Sequence, residues 1–192
     1  PRFVPKILGN MAPCQIAIAN NLRGPSLTVN TACSSGIDAV TVACMLIESG
    51  AADTMVAVGG ESIMCNITMA SLAAAQALSK NNDDPAHACR PFDKNRDGFV
   101  MGEGGGALVL ETLEHAKARG AKIYAEILGC ANNNDAFHIT SPRPGGEGGA
   151  QCMALALEQA GLKPEDVQYI NTHGTATHMG DAYECAAIHT VF

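Results

Sequence analysis

The chain has 192 residues, a formal net charge of −7, a hydrophobic fraction of 47% and a charged fraction of 16%. That balance excludes intrinsic disorder, and the lack of any run of about 18 uncharged apolar residues excludes a membrane-spanning helix. Twelve basic residues face 19 acidic ones without a basic cluster, which argues against a nucleic-acid surface.

In chain order, Gly9 to Asn21 predicts a short helix stopped by Leu22-Arg23-Gly24-Pro25. Ser26 to Thr31 alternates with β-branched residues and predicts a strand. Ser34 to Ser49 is apolar all round and predicts a buried helix ended by Gly50. Thr54 to Val58 is a continuous apolar run between polar and glycine boundaries, as in a strand covered on both faces. Ile63 to Leu78 predicts a Met- and Ala-rich helix, Ser79 to Asp97 a loop, and Gly105 to Leu110 a strand. Glu111 to Arg119 predicts a charged surface helix closed by Gly120, and Lys122 to Cys130 another strand. Asn132 to Gly149 predicts a long polar loop, Ala150 to Ala160 a helix with a Gly161 stop, Val167 to Thr172 a strand, and Asp181 onward a helix. The alternation predicts a layered α/β fold with buried sheets. The chain opens on Pro1-Arg2-Phe3 and closes inside an apolar pattern at Phe192, so it is expected to be a stretch of a longer protein.

Eight cysteines stand at positions 14, 33, 44, 65, 89, 130, 152 and 185, and none forms a CxxC pair. A zinc ribbon or redox motif is therefore not expected, nor any other metal site. Free thiols in a reducing, cytoplasmic compartment are expected instead. All but one are expected to be inert and buried, as at Cys44, Cys152 and Cys185 in apolar helical stretches.

The exception is Cys33, in Val29-Asn30-Thr31-Ala32-Cys33-Ser34-Ser35-Gly36. A strand ends, a turn of small residues follows, and a helix begins. The helix macrodipole and the free backbone N–H groups there favour an anionic nucleophile and can bind an oxyanion. His173, in Asn171-Thr172-His173-Gly174-Thr175-Ala176-Thr177, leaves a strand end and enters a loop where imidazole can exchange a hydrogen bond with a reacting oxygen. Thr175 and Thr177 offer hydroxyls to a polar ligand arm, while His178 reads as a surface residue. Asp93-Lys94-Asn95-Arg96-Asp97-Gly98 copies half of a calcium loop, but Gly104 stands where the bidentate glutamate belongs. Gly102-Glu103-Gly104-Gly105-Gly106-Ala107 precedes a strand instead of opening a helix, so it fails as a dinucleotide fingerprint. Its glycines are expected to permit close backbone approach beside the site.

These segments together resemble the β-ketoacyl-acyl carrier protein synthases, condensing enzymes of the thiolase-like superfamily. The resemblance spans almost the whole chain, through LRGPS at 22–26, NTACSSG at 30–36, ACRPFDKNRDGFVMGEGGGALVLE at 88–111, DAFHITSPRP at 135–144 and YINTHGTATHMGD at 169–181. Cys89 replaces a commoner small residue. The match looks like the ketoacyl synthase II branch, with polyketide ketosynthases as the near alternative. It implies an α-β-α-β-α layered fold, with about 1–120 ending the N-terminal half of one ketosynthase domain and about 121–192 starting its C-terminal half.

The resemblance also implies roles. Cys33 would carry the growing acyl chain as a thioester, with its own backbone N–H as one oxyanion donor. His173 would be one of two histidines that stabilise the enolate formed when malonyl-carrier protein loses carbon dioxide. Thr140, Ser141, Thr175 and Thr177 would contact the phosphopantetheine arm, and His138 would order the loop carrying the first two. Met64, Cys65, Met69 and Leu72 would border an acyl tunnel and a dimer interface. The implied partners are an acyl carrier protein and a second copy of the chain, with the strand before Cys33 near the two-fold axis and with no nucleic acid, membrane or resident cofactor. A second catalytic histidine, a lysine and the other oxyanion donor would lie after Phe192, so the chain alone is expected to be inactive. Gln76 stands where relatives use an arginine for carrier docking, leaving Arg2, Lys6, Lys80 and Arg90 to share that task. A non-catalytic partner subunit of a ketosynthase is a weaker alternative, because Cys33 and His173 are both present. A degradative thiolase fits HGTAT poorly.

Overall fold

A computed structural model describes residues 4–192; Arg2 and the Lys6 side chain, both expected near a docking patch, lie outside the described residues. In chain order the elements are α1 (Val4–Ile7), α2 (Met11–Asn20), α3 (Ser35–Glu48), β1 (Thr54–Glu61), α4 (Asn66–Ala74), β2 (Gly104–Glu111), α5 (Leu113–Ala118), α6 (Glu147–Ala160) and α7 (His178–Val191). Two compact units divide them: Pro1–Ser62 with Glu103–Glu126, and Ile63–Gly102 with Ile127–Phe192.

In the first unit, β1 and β2 pair antiparallel from Thr54↔Glu111 to Glu61↔Gly104, and α3 packs on β1. Small residues permit that packing. Ala43 on α3 and Ala57 on β1 are both buried, and a Cβ at Gly59 would stand 3.9 Å from the Gly36 Cα. The first turn of α3 is thereby seated directly on the strand. Helix α2 ends at Asn21, which takes the left-handed conformation that asparagine tolerates, with φ of 53°. The Thr112 hydroxyl caps α5 by accepting from the His115 N–H at 3.2 Å. Glu111 at the end of β2 receives the Arg119 guanidinium and the His115 ring, and these hold its carboxyl down at about 2 from an ordinary 4.5.

In the second unit, α6 packs against α7. The turn into α6 passes the Tyr183 carbonyl of α7 at Gly146, whose φ of 70° and missing Cβ both suit the position. Thr177 caps α7 by accepting the Gly180 N–H at 3.2 Å. The 127–136 segment lies against α6, where a Cβ at Gly129 would stand 2.6 Å from the Ala156 carbonyl oxygen.

Apart from α1, which the pattern did not predict, the helices and two of the strands agree with the sequence pattern to within a few residues. Three predicted strands do not form. Ser26–Thr31, Lys122–Cys130 and Val167–Thr172 carry no ladder among the described residues. Their alternation specifies which way side chains face, but a strand also needs a neighbour to exchange hydrogen bonds with. The cysteine expectation also needs correction, since none of the eight is buried: Cys33, Cys65 and Cys89 are exposed and the others half-buried. Helix α3 is not enclosed either, with Ile37 70% exposed. Every buried apolar residue among the described ones is an alanine.

Candidate active site

Cys33 belongs to the first unit, whereas His173, Thr140, Ser141, Thr175 and Thr177 belong to the second. Cys33 sits in a single 3-10 turn, Ala32–Ser34, that leads into the 14-residue α3. Ala32 bends the chain with φ of 52°, a left-handed conformation that costs an alanine about 1–3 kcal/mol unless its surroundings impose it. Side chains impose it here. Ser35 Oγ accepts from the Thr31 N–H at 2.9 Å and donates to the Ala32 carbonyl at 2.7 Å, stitching across the bend. The Asp38 carboxylate, only 5% exposed, accepts from the Ser34 hydroxyl at 2.9 Å and from the Thr31 hydroxyl. Cys33 is thereby held outward, with an exposed thiol at the N-terminal end of a helix that favours negative charge.

The His173 loop is built differently. Glu184 on α7 accepts the His173 N–H at 2.5 Å and the Gly174 N–H at 2.8 Å, so one carboxylate fixes two consecutive peptides. Asp181, 1% exposed, accepts the Ala176 N–H at 3.0 Å and the Phe92 N–H at 2.6 Å. Gly174 and Ala176 both take positive φ, 51° and 61°. The Gly98 N–H donates to the Ala176 carbonyl at 2.9 Å. The result is an exposed His173 beside a Thr175–Thr177 hydroxyl pair 2.8 Å apart. The Thr177 hydroxyl oxygen already accepts from Gly180, and that of Thr175 accepts the Thr177 N–H at 3.4 Å. Two hydroxyls carry two protons and one lies between them, so the pair keeps one proton to donate outward.

Thr140 and Ser141 occupy a separate turn. His138 Nδ1 accepts both of their backbone N–H groups, at 3.2 and 3.1 Å, as expected of an ordering residue. Asp135 accepts the Arg143 N–H at 2.8 Å, closing the loop at its base.

Asp38, Asp181, Glu184 and Arg96 shape these loops, and the sequence reading singled out none of them for it. For the three acids the only local signal was a carboxylate in the early turns of a helix, and Arg96 lay inside the calcium-like motif. In the calcium-like loop the carboxylates serve protein donors. Asp97 accepts from the Ser79 hydroxyl at 2.6 Å and the Lys80 N–H at 2.8 Å, and these bonds hold its carboxyl below the usual range. No group of three or more metal-binding side chains converges among the described residues. The close approach expected at Gly102, Gly104 and Gly106 is also absent, since a Cβ there would meet open space. Gly105 and Gly106 pair with Gly60 and Gly59 in the sheet instead. Lys80 is exposed, while Arg90 is half-buried, with its Nε enclosed. His178 is exposed, as expected.

Residues 1–116 match the family model "Beta-ketoacyl synthase, N-terminal domain", and 124–192 match "Beta-ketoacyl synthase, C-terminal domain". The chain belongs to the β-ketoacyl synthase family. It is 53% identical over 189 residues to the 3-oxoacyl-[acyl-carrier-protein] synthase 2 of Rhizobium meliloti (strain 1021), covering 98% of this chain and 45% of that protein. It is 47% identical over 192 residues to the protein of the same name from Staphylococcus aureus, covering 47% of it. The chain thus spans about half the length of the curated relatives it matches. Among solved structures it superposes on a type II PKS acyl-carrier protein in complex with its ketosynthase bound to the hexaketide, with a TM-score of 0.95, 37% identity and coverage of 99% of this chain and 47% of that one. A β-ketoacyl synthase from Burkholderia phymatum STM815 aligns with a TM-score of 0.91 and 39% identity, covering 95% of this chain and 44% of that one. The fold is therefore the layered α/β, thiolase-like fold of the ketosynthases. No helix among the described residues is long and apolar enough to cross a membrane.

Proposed function

We propose that this chain supplies the nucleophile and one histidine of a β-ketoacyl-acyl carrier protein synthase that lengthens a fatty acyl chain by two carbons in the cytoplasm. The observation that carries the reading is the outward-facing Cys33 on a left-handed bend at the start of α3. The Cys33 thiolate attacks an acyl thioester, the carrier thiolate leaves, and the acyl group rests on sulfur. Malonyl-carrier protein then loses carbon dioxide, and the electron pair of the broken C–C bond becomes an enolate. His173 stabilises the enolate oxygen with a hydrogen bond. The enolate carbon attacks the acyl-Cys33 carbonyl, the oxyanion rests on the Cys33 N–H, and the Cys33 thiolate is expelled. The outward proton of the Thr175–Thr177 pair, with Thr140 and Ser141, receives the phosphopantetheine arm of the substrate.

On this reading residues 1–120 and 121–192 belong to the two halves of one ketosynthase domain. Met64, Met69 and Cys65, all exposed, form an adaptable apolar wall for the alkyl chain. The protein acts as a homodimer and needs no metal. The higher identity to the 3-oxoacyl synthases supports the fatty-acyl reading over the polyketide one. The test is Cys33→Ala in the full-length protein. Condensation falls by more than about 10³-fold, while slow release of carbon dioxide from malonyl-carrier protein persists. Unchanged condensation would remove Cys33 from its role.

A further inference from the structure

Within the second unit, residues 91–98 form a mould around the His173 loop. Pro91 Cβ and the Phe92 ring stand where a Cβ at Gly174 would be 3.3 Å from each. The Phe92 and Gly98 amides reach Asp181 and Ala176. At its centre is Arg96, whose side chain is 17% exposed. Its Nε donates to the Thr177 carbonyl at 3.2 Å and lies 3.3 Å from the Asp181 carboxylate. One terminal nitrogen donates to the His178 carbonyl at 2.8 Å and the other to the Asp93 carbonyl at 3.0 Å. A single guanidinium therefore ties its own loop to two consecutive peptides at the start of α7. A cation beside a helix N-terminus opposes the macrodipole, so this placement needs its buried counter-ion, Asp181.

We propose that Arg96 is a positioning residue for the carrier-borne substrate, acting through the Thr175–Thr177 pair. This rests on the ketosynthase reading above. The loop has two clamps with separate jobs. Glu184 holds the amides of His173 and Gly174, at the chemical end. Arg96 holds the carbonyls of Thr177 and His178, at the end that faces the pantetheine arm. Loosening the second clamp moves the threonine hydroxyls and leaves the imidazole in place, so the Michaelis constant changes while turnover is retained. Only a planar fork fits this task, because a lysine ammonium can face Asp181 but cannot also span two carbonyls and the Asp93 oxygen.

The experiment is Arg96→Lys in the full-length protein, with malonyl-carrier protein varied at saturating acyl donor. Retaining the charge keeps Asp181 paired, so the variant isolates the fork from the buried ion pair. The expected result is a KM for malonyl-carrier protein raised about tenfold, the scale of one charge-assisted hydrogen bond, with kcat within about threefold of the parent. Thermal unfolding stays cooperative, and iodoacetamide still labels Cys33 at the parent rate. Parent values of both KM and kcat would overturn the proposal. So would a fall in kcat at constant KM, which would move the effect to His173, or loss of the cooperative transition, which would make the role structural. Cys33→Ala assayed alongside separates the two readings, since its retained condensation would remove the ketosynthase premise whatever Arg96 does.

Discussion

The Cys33 bend and the His173 loop reach similar ends by opposite means. At Cys33 the side-chain hydrogen bonds across the bend run between residues within seven positions of one another, from Thr31 to Asp38. At His173 the decisive contacts come from Phe92, Arg96 and Gly98, more than 70 residues away in sequence, and from Asp181 and Glu184 on the next helix. A locally determined bend forms with its own helix and tolerates change elsewhere. A loop assembled from distant segments exists only when its unit is folded, and damage to either segment damages both. A reactive thiol needs one exposed sulfur at a fixed angle, which a short turn supplies. On the proposed function, a histidine with two threonines must match an extended ligand, which takes a mould.

The largest break in that comparison is at Asp181. Asp181→Ala strands Arg96 and two amides, and should cost about 3–5 kcal/mol of unfolding free energy in denaturant titrations, the scale of a broken buried pair. An effect under about 1 kcal/mol would contradict the mould. Asp38→Ala is the matching change at the bend. It should cost less, about 1–3 kcal/mol, because the released Thr31 and Ser34 are exposed and can turn to water. Its signature is slower acyl transfer to Cys33 at unchanged KM for malonyl-carrier protein. Smallest is a change remote from both regions. The lowered Glu111 carboxyl contributes stability above its unfolded value of 4.5, and that contribution is lost as pH falls toward about 2. Glu111→Gln should lower the melting temperature slightly near neutrality, where that contribution is present, and flatten its decline over that interval, so that the two proteins converge at low pH.

The same contrast sets what the sequence reveals. The bend at Cys33 was legible because small residues, a strand-like run and a helical run are adjacent. So were the helix ends at Asn21 and Gly161, both left-handed as their side chains suit. The three segments read as strands were wrong in pairing, because a pattern along one segment contains no information about its neighbour. Asp181 and Glu184 were invisible as loop anchors, since nothing local distinguishes an acid that caps distant amides from one on a solvated face. Arg96 was hidden inside a motif that mimics a calcium loop, although its carboxylates serve Ser79, Lys80 and Asn95.

The central claim is that Cys33 carries the acyl group between the two halves of the reaction. It is tested most directly by mixing the full-length protein with acyl-carrier protein in the absence of malonyl donor, then mapping the adduct by peptide mass spectrometry. The account predicts one acyl mass on the peptide containing Cys33, removed when malonyl-carrier protein is added. Acylation at another of the eight cysteines, or an unmodified Cys33 during turnover, would contradict it.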